Sequence, residues 1–337
     1  MKYSKFVQSI GSFITICFIT YAVFKFDLNK TFSMMLQAQY LMFLPMMCCI
    51  YFLWYLRARR LTHLLSSIKQ TKTFNIYRAV AIGVLTNQIL PGRLGDFVSA
   101  YIVKKKEKIR LSGVLGAVAV ERVIDVLFLT LLIVLTLLIT KPAIIPPHVL
   151  KKIQFGGFSF GIASISAGII LYRLSFENSI ISRFVAKIID VFPGKTAVKL
   201  HSVIESFKNG LRALQNSNHI FYILGYSLAI WCTLVTYFSL IYPMFLIEAS
   251  FEKSILTTLF MVLGIMIPSA PGAVGPYEAA MVLSLTLYDV EIENALGMAI
   301  LIHFIDFLFS VSAGLFFLWK DEITLTEIQH SMKEESL

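Results

Sequence analysis

Residues Leu115–Thr140 read LGAVAVERVIDVLFLTLLIVLTLLIT. Apart from Glu121, Arg122 and Asp125 near its start, the run is almost wholly apolar. About 20 such residues in a helix cross the ~30 Å of a bilayer's hydrocarbon. A barrel strand would alternate apolar and polar residues, and this run does not. Lipid offers the backbone no hydrogen-bond partners, so only helices and closed barrels span. The run is therefore read as a membrane helix. Five more runs follow the same rule: Phe6–Phe26, Tyr40–Leu56, Gly156–Leu174, His219–Leu246 and Ile292–Trp319. The expected fold class is all-α, a polytopic membrane helix bundle with about six full spans and an inverted internal repeat.

Composition agrees. The 337 residues are 57% hydrophobic and only 15% charged, against about 25% charged in soluble domains. The first run is too long for a signal-peptide core, and Lys25, Asp27 and Asn29 follow it in place of a small-residue cleavage site, so it reads as a retained span. Cys17, Cys48, Cys49 and Cys232 all lie in apolar runs; they read as packing thiols, with no disulfide framework or metal spacing.

The net charge of +10 is a topology signal. With the N-terminus inside, 22 of the 30 Lys and Arg fall on inside segments, including Arg57–Arg78, Lys104–Arg110 and Arg173–Arg212. Six fall outside, and Arg93 and Arg122 are embedded. This bias predicts a cytoplasmic-membrane protein with both termini in the cytoplasm and attraction to anionic headgroups. No folded basic face for nucleic acid is in view. Residues 1–320 read as one integral membrane domain. Within it, residues 176–217 alternate apolar and basic positions, as helices lying along the cytoplasmic interface do. Residues 321–337 are a polar tail.

Two more apolar segments, Tyr77–Val103 and Ile255–Tyr288, are broken by Pro and Gly. Each is either a kinked span or a re-entrant hairpin. They match each other. Leu90-Pro91-Gly92-Arg93-Leu94-Gly95 aligns with Ala270-Pro271-Gly272-Ala273-Val274-Gly275 at an offset of 180, and Ile124-Asp125-Val126-Leu127-Phe128 with Ile305-Asp306-Phe307-Leu308-Phe309 at 181. This suggests a duplication with halves at about residues 40–140 and 219–319. Three spans separate equivalent points, so the second half is inverted. Interrupted helices from inverted repeats, meeting at mid-depth, are how many transporters build a substrate site.

Arg93 stands out as a substrate-binding candidate. It lies in Pro91-Gly92-Arg93-Leu94-Gly95-Asp96, where Pro ends one helix and Gly permits close backbone approach. A guanidinium beside the start of the next helix suits a phosphate. Asp96 either caps that helix or joins the site. In the second break, Pro271, Gly272, Gly275, Tyr277 and Glu278 are the counterparts. Glu278 either caps a helix begun by Pro276 or takes up a proton or a cationic headgroup. The embedded charges Glu121, Arg122 and Asp125 share one stretch of helix, with Glu121 and Asp125 at i,i+4 and Arg122 and Asp125 at i,i+3. They either lock helices together or present a cation to a headgroup. His303 reads as packed or proton-carrying, with Asp306 expected to pair with it or with Arg122. No Walker loop, nucleophile elbow or His-Glu-x-x-His occurs, so no enzyme, cofactor or metal is expected.

The motifs Asn87-x-x-x-Pro91-Gly92-Arg93-x-Gly95-Asp96, Glu121-Arg122-x-x-Asp125 and Pro268-x-x-Pro271-Gly272-x-x-Gly275-x-x-Glu278 resemble, in this order, the lysylphosphatidylglycerol synthase transmembrane family, also called flippase-like. The resemblance runs from about Lys5 to Lys320. It implies a stand-alone member, without the cytoplasmic aminoacyl-transfer domain, that flips an anionic phospholipid or lipid-linked substrate across the bilayer. Asn87 joins the substrate-binding candidates through this motif. The chain departs from the family at Ser99, where a basic residue is common, and at Gly272-Ala273, where Gly-Gly is common. A non-transporting accessory or scaffold subunit of envelope lipid or glycan synthesis is the alternative. A homodimer or an envelope-biosynthesis enzyme is the expected protein partner.

Overall fold

The computed structural model describes residues 15–16, 20, 27–90, 94–139, 147–267, 270–322 and 327. Every regular element among them is helical. The α-helices in chain order are α1 Leu28–Leu36, α2 Phe43–Leu65, α3 Thr73–Ile89, α4 Gly95–Glu107, α5 Leu111–Ile139, α6 Pro147–Ser175, α7 Ile180–Ile189, α8 Gly194–Leu211, α9 Ser217–Ser239, α10 Ile241–Met244, α11 Phe251–Met266, α12 Pro276–Thr286 and α13 Ile292–Lys320. Five helical stretches are long and apolar enough to cross a bilayer: Tyr40–Leu65, Leu111–Ile139, Gln154–Ser175, Asn218–Met244 and Ile292–Lys320. The protein is a polytopic helical membrane bundle. The expected first span, Phe6–Phe26, and most of the tail lie outside the described residues.

One boundary moves. The span expected to end at Leu56 continues to Leu65, taking Arg57, Arg59 and Arg60 from the expected inside loop into helix. Leu61, Leu64 and Leu65 are buried there. Arg60 is 1% exposed, and two carboxylates neutralise it, as described below.

The chain forms two compact units. The first comprises residues 1–51, 80–99 and 234–337. Its core is rich in Met and aromatic residues, among them Met46, Tyr242, Met261, Met281 and Met298. Asp27 caps α1 by accepting from the Asn29 and Lys30 amides. Lys30 pairs with Glu291 at the start of α13, and this carboxylate raises the lysine's pKa above its ordinary value. Further along, α13 lies so close to α1 that a Cβ on Gly297 would stand 2.5 Å from the Thr31 carbonyl.

Both broken segments are helix–break–helix hairpins, and residues 80–99 of the first and the whole of the second belong to this unit. In a straight helix Gly83 and Gly95 would be about 18 Å apart. Instead they touch: a Cβ on Gly83 would lie 2.6 Å from the Gly95 carbonyl oxygen. Gly264 meets the returning helix α12 in the same way, at 2.4 Å from Ala280 Cβ. Gly264 follows Gly83 by 181 residues, within one of the 180 that separates the two Pro-Gly breaks. Small residues let two helix backbones approach where lipid supplies no hydrophobic drive, so each hairpin closes on a glycine at the equivalent place. These contacts decide between the two expectations for the broken segments, since a merely kinked span would hold its halves apart.

The second unit comprises residues 52–79 and 100–233. Here α5 receives α8 at Gly113, Gly116 and Gly210; a Cβ on Gly210 would stand 2.2 Å from the Gly113 carbonyl. On α6, Gly157 and Gly161 face Ile133 and Thr130 of α5, and Ser164 Oγ donates to the Val123 carbonyl at 2.9 Å. Buried Glu107 accepts from Asn75 Nδ2 at 2.7 Å and from the Lys72 amide at 3.3 Å, tying the end of α4 to the start of α3. The expected interfacial stretch forms α7 and α8, parted at Phe192–Pro193. On α7, Ile180, Phe184 and Ile188 share one exposed face at i, i+4 and i+8. Cys48 and Cys49 are free thiols.

Candidate functional site

The first break is held from its flanks. Helix α3 ends at Ile89 and α4 begins at Gly95. The first amides of a helix lack intrahelical acceptors, and Gly95 N–H donates to Asn87 Oδ1 at 2.8 Å. The cap therefore comes from Asn87, across the hairpin. Asp96 lies in the first turn, where its charge suits the helix dipole. Pro91, Gly92 and Arg93 lie outside the described residues.

The second break is visible from Ala270 onward; Pro268 and Ser269 lie outside the described residues. Pro271–Ala273 form a tight turn in which the Ala273 N–H donates to the Ala270 carbonyl at 3.1 Å. Gly272, Ala273 and Gly275 have φ of 74°, 62° and 98°. This left-handed region suits glycine and strains alanine. Pro276 then opens α12, where its missing amide costs nothing. Glu278 Oε2 accepts from Gly275 N–H at 2.7 Å, the expected capping role.

The other oxygen of Glu278 does something further. Oε1 lies 2.5 Å from His303 Nδ1 on α13, and His303 Nε2 donates to the Gly272 carbonyl at 2.8 Å. The imidazole thus joins the start of α12 to the turn of the break. Tyr277 stacks on it, ring centroids 4.1 Å apart and planes 17° from parallel. Tyr277 Oη donates to Asp306 Oδ2 at 2.8 Å, and Tyr237 Oη donates to Oδ1. Asp306 was expected to pair with His303 or Arg122. Its hydrogen-bond donors are instead two tyrosines, because its place one turn beyond His303 aims it at their hydroxyls.

The two hairpins meet within the first unit. A Cβ on Gly272 would lie 3.2 Å from Gln88 Oε1 and 3.7 Å from the Gln88 carbonyl oxygen. Gln88 is in the last turn of α3, three residues before Pro91. Thr15 Oγ1 donates to the Val274 carbonyl at 2.8 Å. So Asn87, Gly95 and Asp96 flank one break, while Pro271, Gly272, Gly275, Tyr277, Glu278, His303 and Asp306 build the other.

Glu121, Arg122 and Asp125 have a different centre, in the second unit. Arg60 Nε donates to Glu121 Oε1 at 3.0 Å, and its Nη1 to Asp125 Oδ1 at 2.6 Å and Ser227 Oγ at 3.0 Å. Arg122 reaches Asp125 at 3.3 Å with its side chain 45% exposed. The expected single set of embedded charges is therefore two sets, and the buried cation is Arg60, which had been assigned to the inside loop. A basic run beside a span reads as loop. The one hint against that reading was the excess of carboxylates over arginines in α5. Gln88, Tyr237 and Thr15 carried no signal in the sequence, because only tertiary packing gives them their partners.

The family described as lysylphosphatidylglycerol synthase TM region matches residues 8–314. A UPF0104 membrane protein of Methanocaldococcus jannaschii is 25% identical over 230 residues, covering 68% of this chain and 90% of that protein. A Haloferax volcanii protein named as the glycosyltransferase AglD is 29% identical over 285 residues, covering 74% of this chain but 44% of that protein. No solved structure matches.

Proposed function

The chain belongs to the lysylphosphatidylglycerol synthase TM region family, and on that premise we propose that it moves a phospholipid or a lipid-linked anionic molecule across the cytoplasmic membrane, catalysing no covalent chemistry itself. The observation that carries this reading is the meeting of two broken hairpins at Gln88 and Gly272. Each hairpin closes on a glycine, Gly83 and Gly264, 181 residues apart and so within one residue of the spacing of the breaks. Interrupted helices converging from two repeats bring non-helical backbone and helix starts together within a protein-lined space where a polar headgroup can bind. Arg93, beside the start of α4, is the cation for that headgroup, and its planar fork matches a phosphate bidentately. Asn87, Gly95 and Asp96 hold the helix start that faces it; Pro271, Gly272, Gly275, Tyr277 and Glu278 form the opposite wall. Both termini lie in the cytoplasm.

The test is reconstitution into liposomes carrying a fluorescent anionic phospholipid, with leaflet exchange followed by chemical quenching. Wild type is expected to accelerate exchange over protein-free vesicles. Arg93→Ala is expected to abolish the acceleration while still eluting as a folded protein, and Arg93→Lys to retain part of it. Wild type no faster than empty vesicles, with both anionic phospholipid and polyprenyl-phosphate probes, overturns the reading.

A second reading has one specific support. The Haloferax relative named as a glycosyltransferase has the matching region in less than half of its length. A chain of this kind then serves as the membrane subunit of a glycan enzyme. Co-purification with such an enzyme, together with no lipid movement by the purified chain, favours that role.

A further inference from the structure

The hydrogen bonds at His303 fix a proton count. Nε2 faces the Gly272 carbonyl at 2.8 Å. A carbonyl only accepts, so Nε2 carries hydrogen. Nδ1 faces Glu278 Oε1 at 2.5 Å. Two arrangements satisfy that contact: an imidazolium donating to a carboxylate, or a carboxylic acid donating to a neutral imidazole. Each contains one proton between Nδ1 and Oε1. Without it, an imidazole lone pair would stand against a carboxylate lone pair, and so short a contact would not survive.

We propose that His303 and Glu278 form a proton-binding site that latches the second break, closed when the shared proton is bound and released when it leaves. This deepens the transport reading, on which it rests, by naming the proton as the coupling ion. The latch acts on the backbone. Glu278 holds the Gly275 amide through Oε2, and His303 holds the Gly272 carbonyl, so one bound proton ties both ends of the Gly272–Gly275 turn to α13. Tyr277 stacks on the imidazole; once the shared proton leaves, the neutral ring has one N–H for two acceptors, Glu278 Oε1 and the Gly272 carbonyl, so one of the two ties is lost. Three backbone positions in this turn have positive φ, so the turn needs its ties to keep that shape.

The other titratable groups facing the pair, among the described residues, are Tyr277 on α12 and Asp306 on α13. Tyr237 of α9 lies beyond Asp306. The tyrosines donate to Asp306 and so need their own protons. The closed form of the latch is the one that holds the shared proton. The sign follows: the latch is closed at low pH and opens as pH rises.

Hydrogen–deuterium exchange of the full chain in lipid nanodiscs, read on peptides spanning Met266–Tyr277 and corrected for intrinsic rates, tests this. In wild type, protection is expected to fall above a midpoint pH by up to about tenfold per pH unit, the limit for one proton. In Glu278→Gln the amide carbonyl still accepts from Gly275, and the amide N–H donates to neutral His303 Nδ1. The same bonds form with no proton to lose, so protection is expected to stay high and flat. Wild-type protection that does not vary with pH, or that varies equally in the Gln variant, overturns the latch. In liposomes with a pH gradient, lipid movement beside a pH-insensitive break overturns the latch alone. A pH-dependent break without lipid movement supports the latch and overturns the transport reading.

Discussion

Arg60 Nη1 donates to Asp125 Oδ1 at 2.6 Å, although 65 residues separate them in the chain. The same guanidinium engages Glu121 and Ser227, and its side chain is 1% exposed. Removing one member of such a cluster strands the others, at about 3–5 kcal/mol for a buried pair. Arg60→Met is expected to lower stability by about that amount in detergent unfolding. Adding Glu121→Gln and Asp125→Asn removes the stranded charge and should recover most of the loss. A single variant within about 1 kcal/mol of wild type would show that the cluster does not hold the second unit.

How much of this could be read beforehand depends on the range of the interaction. Five spans were legible, because an apolar run of sufficient length has few alternatives in lipid. Both breaks were legible from Pro91-Gly92 and Pro271-Gly272, and so was the capping role of Glu278, which needs only neighbours three residues away. Arg60 was not. Its neighbours Arg57 and Arg59 make the run look like a cytoplasmic loop, and the carboxylates it serves lie in another helix. The tyrosines on Asp306 and the meeting of Gln88 with Gly272 were hidden for the same reason. Gly83 and Gly264 were present in the text, but a lone glycine in an apolar run does not say which backbone it will touch.

The hairpin glycines make the next prediction. A Cβ on Gly83 would stand 2.6 Å from the Gly95 carbonyl, and one on Gly264 2.4 Å from Ala280 Cβ. Neither neighbour is the free end of a flexible side chain, so Gly83→Val and Gly264→Val must splay the helices. Overpacking typically costs about 1–3 kcal/mol, and more where backbone is the obstacle. Gly225, within α9, has open space where its Cβ would go. Gly225→Ala is expected to stabilise by roughly 0.5–1 kcal/mol through helix propensity. Melting temperatures of the three variants check the contrast, which fails if all three shift alike.

Ala273 stands where the family often has glycine, and its φ is 62°. The left-handed conformation costs a residue with a Cβ roughly 1–2 kcal/mol. Ala273→Gly removes that strain, although the freer unfolded chain takes back part of the gain. A net stabilisation of about 0.5–1 kcal/mol is expected. A loss of stability would mean that the Ala273 methyl, which packs against the first unit's core, contributes more than the strain it brings.

Tyr277 serves two neighbours through different parts of its side chain, and the two are separable. Its ring stacks on His303, and its hydroxyl donates to Asp306. Tyr277→Phe keeps the ring and deletes the donor. Asp306 then retains Tyr237 alone, and losing one hydrogen bond to a charged acceptor costs about 1.5–3 kcal/mol. Adding Tyr237→Phe leaves the carboxylate with neither donor, so the double variant should lose more than the sum of the singles. Adding Asp306→Leu to the double variant removes the stranded group and should restore much of the loss. Unfolding of the four variants measures the coupling directly. Simple additivity would mean that water or lipid headgroups reach Asp306, and that the tyrosines are not what keeps a carboxylate beside the imidazole of the second break.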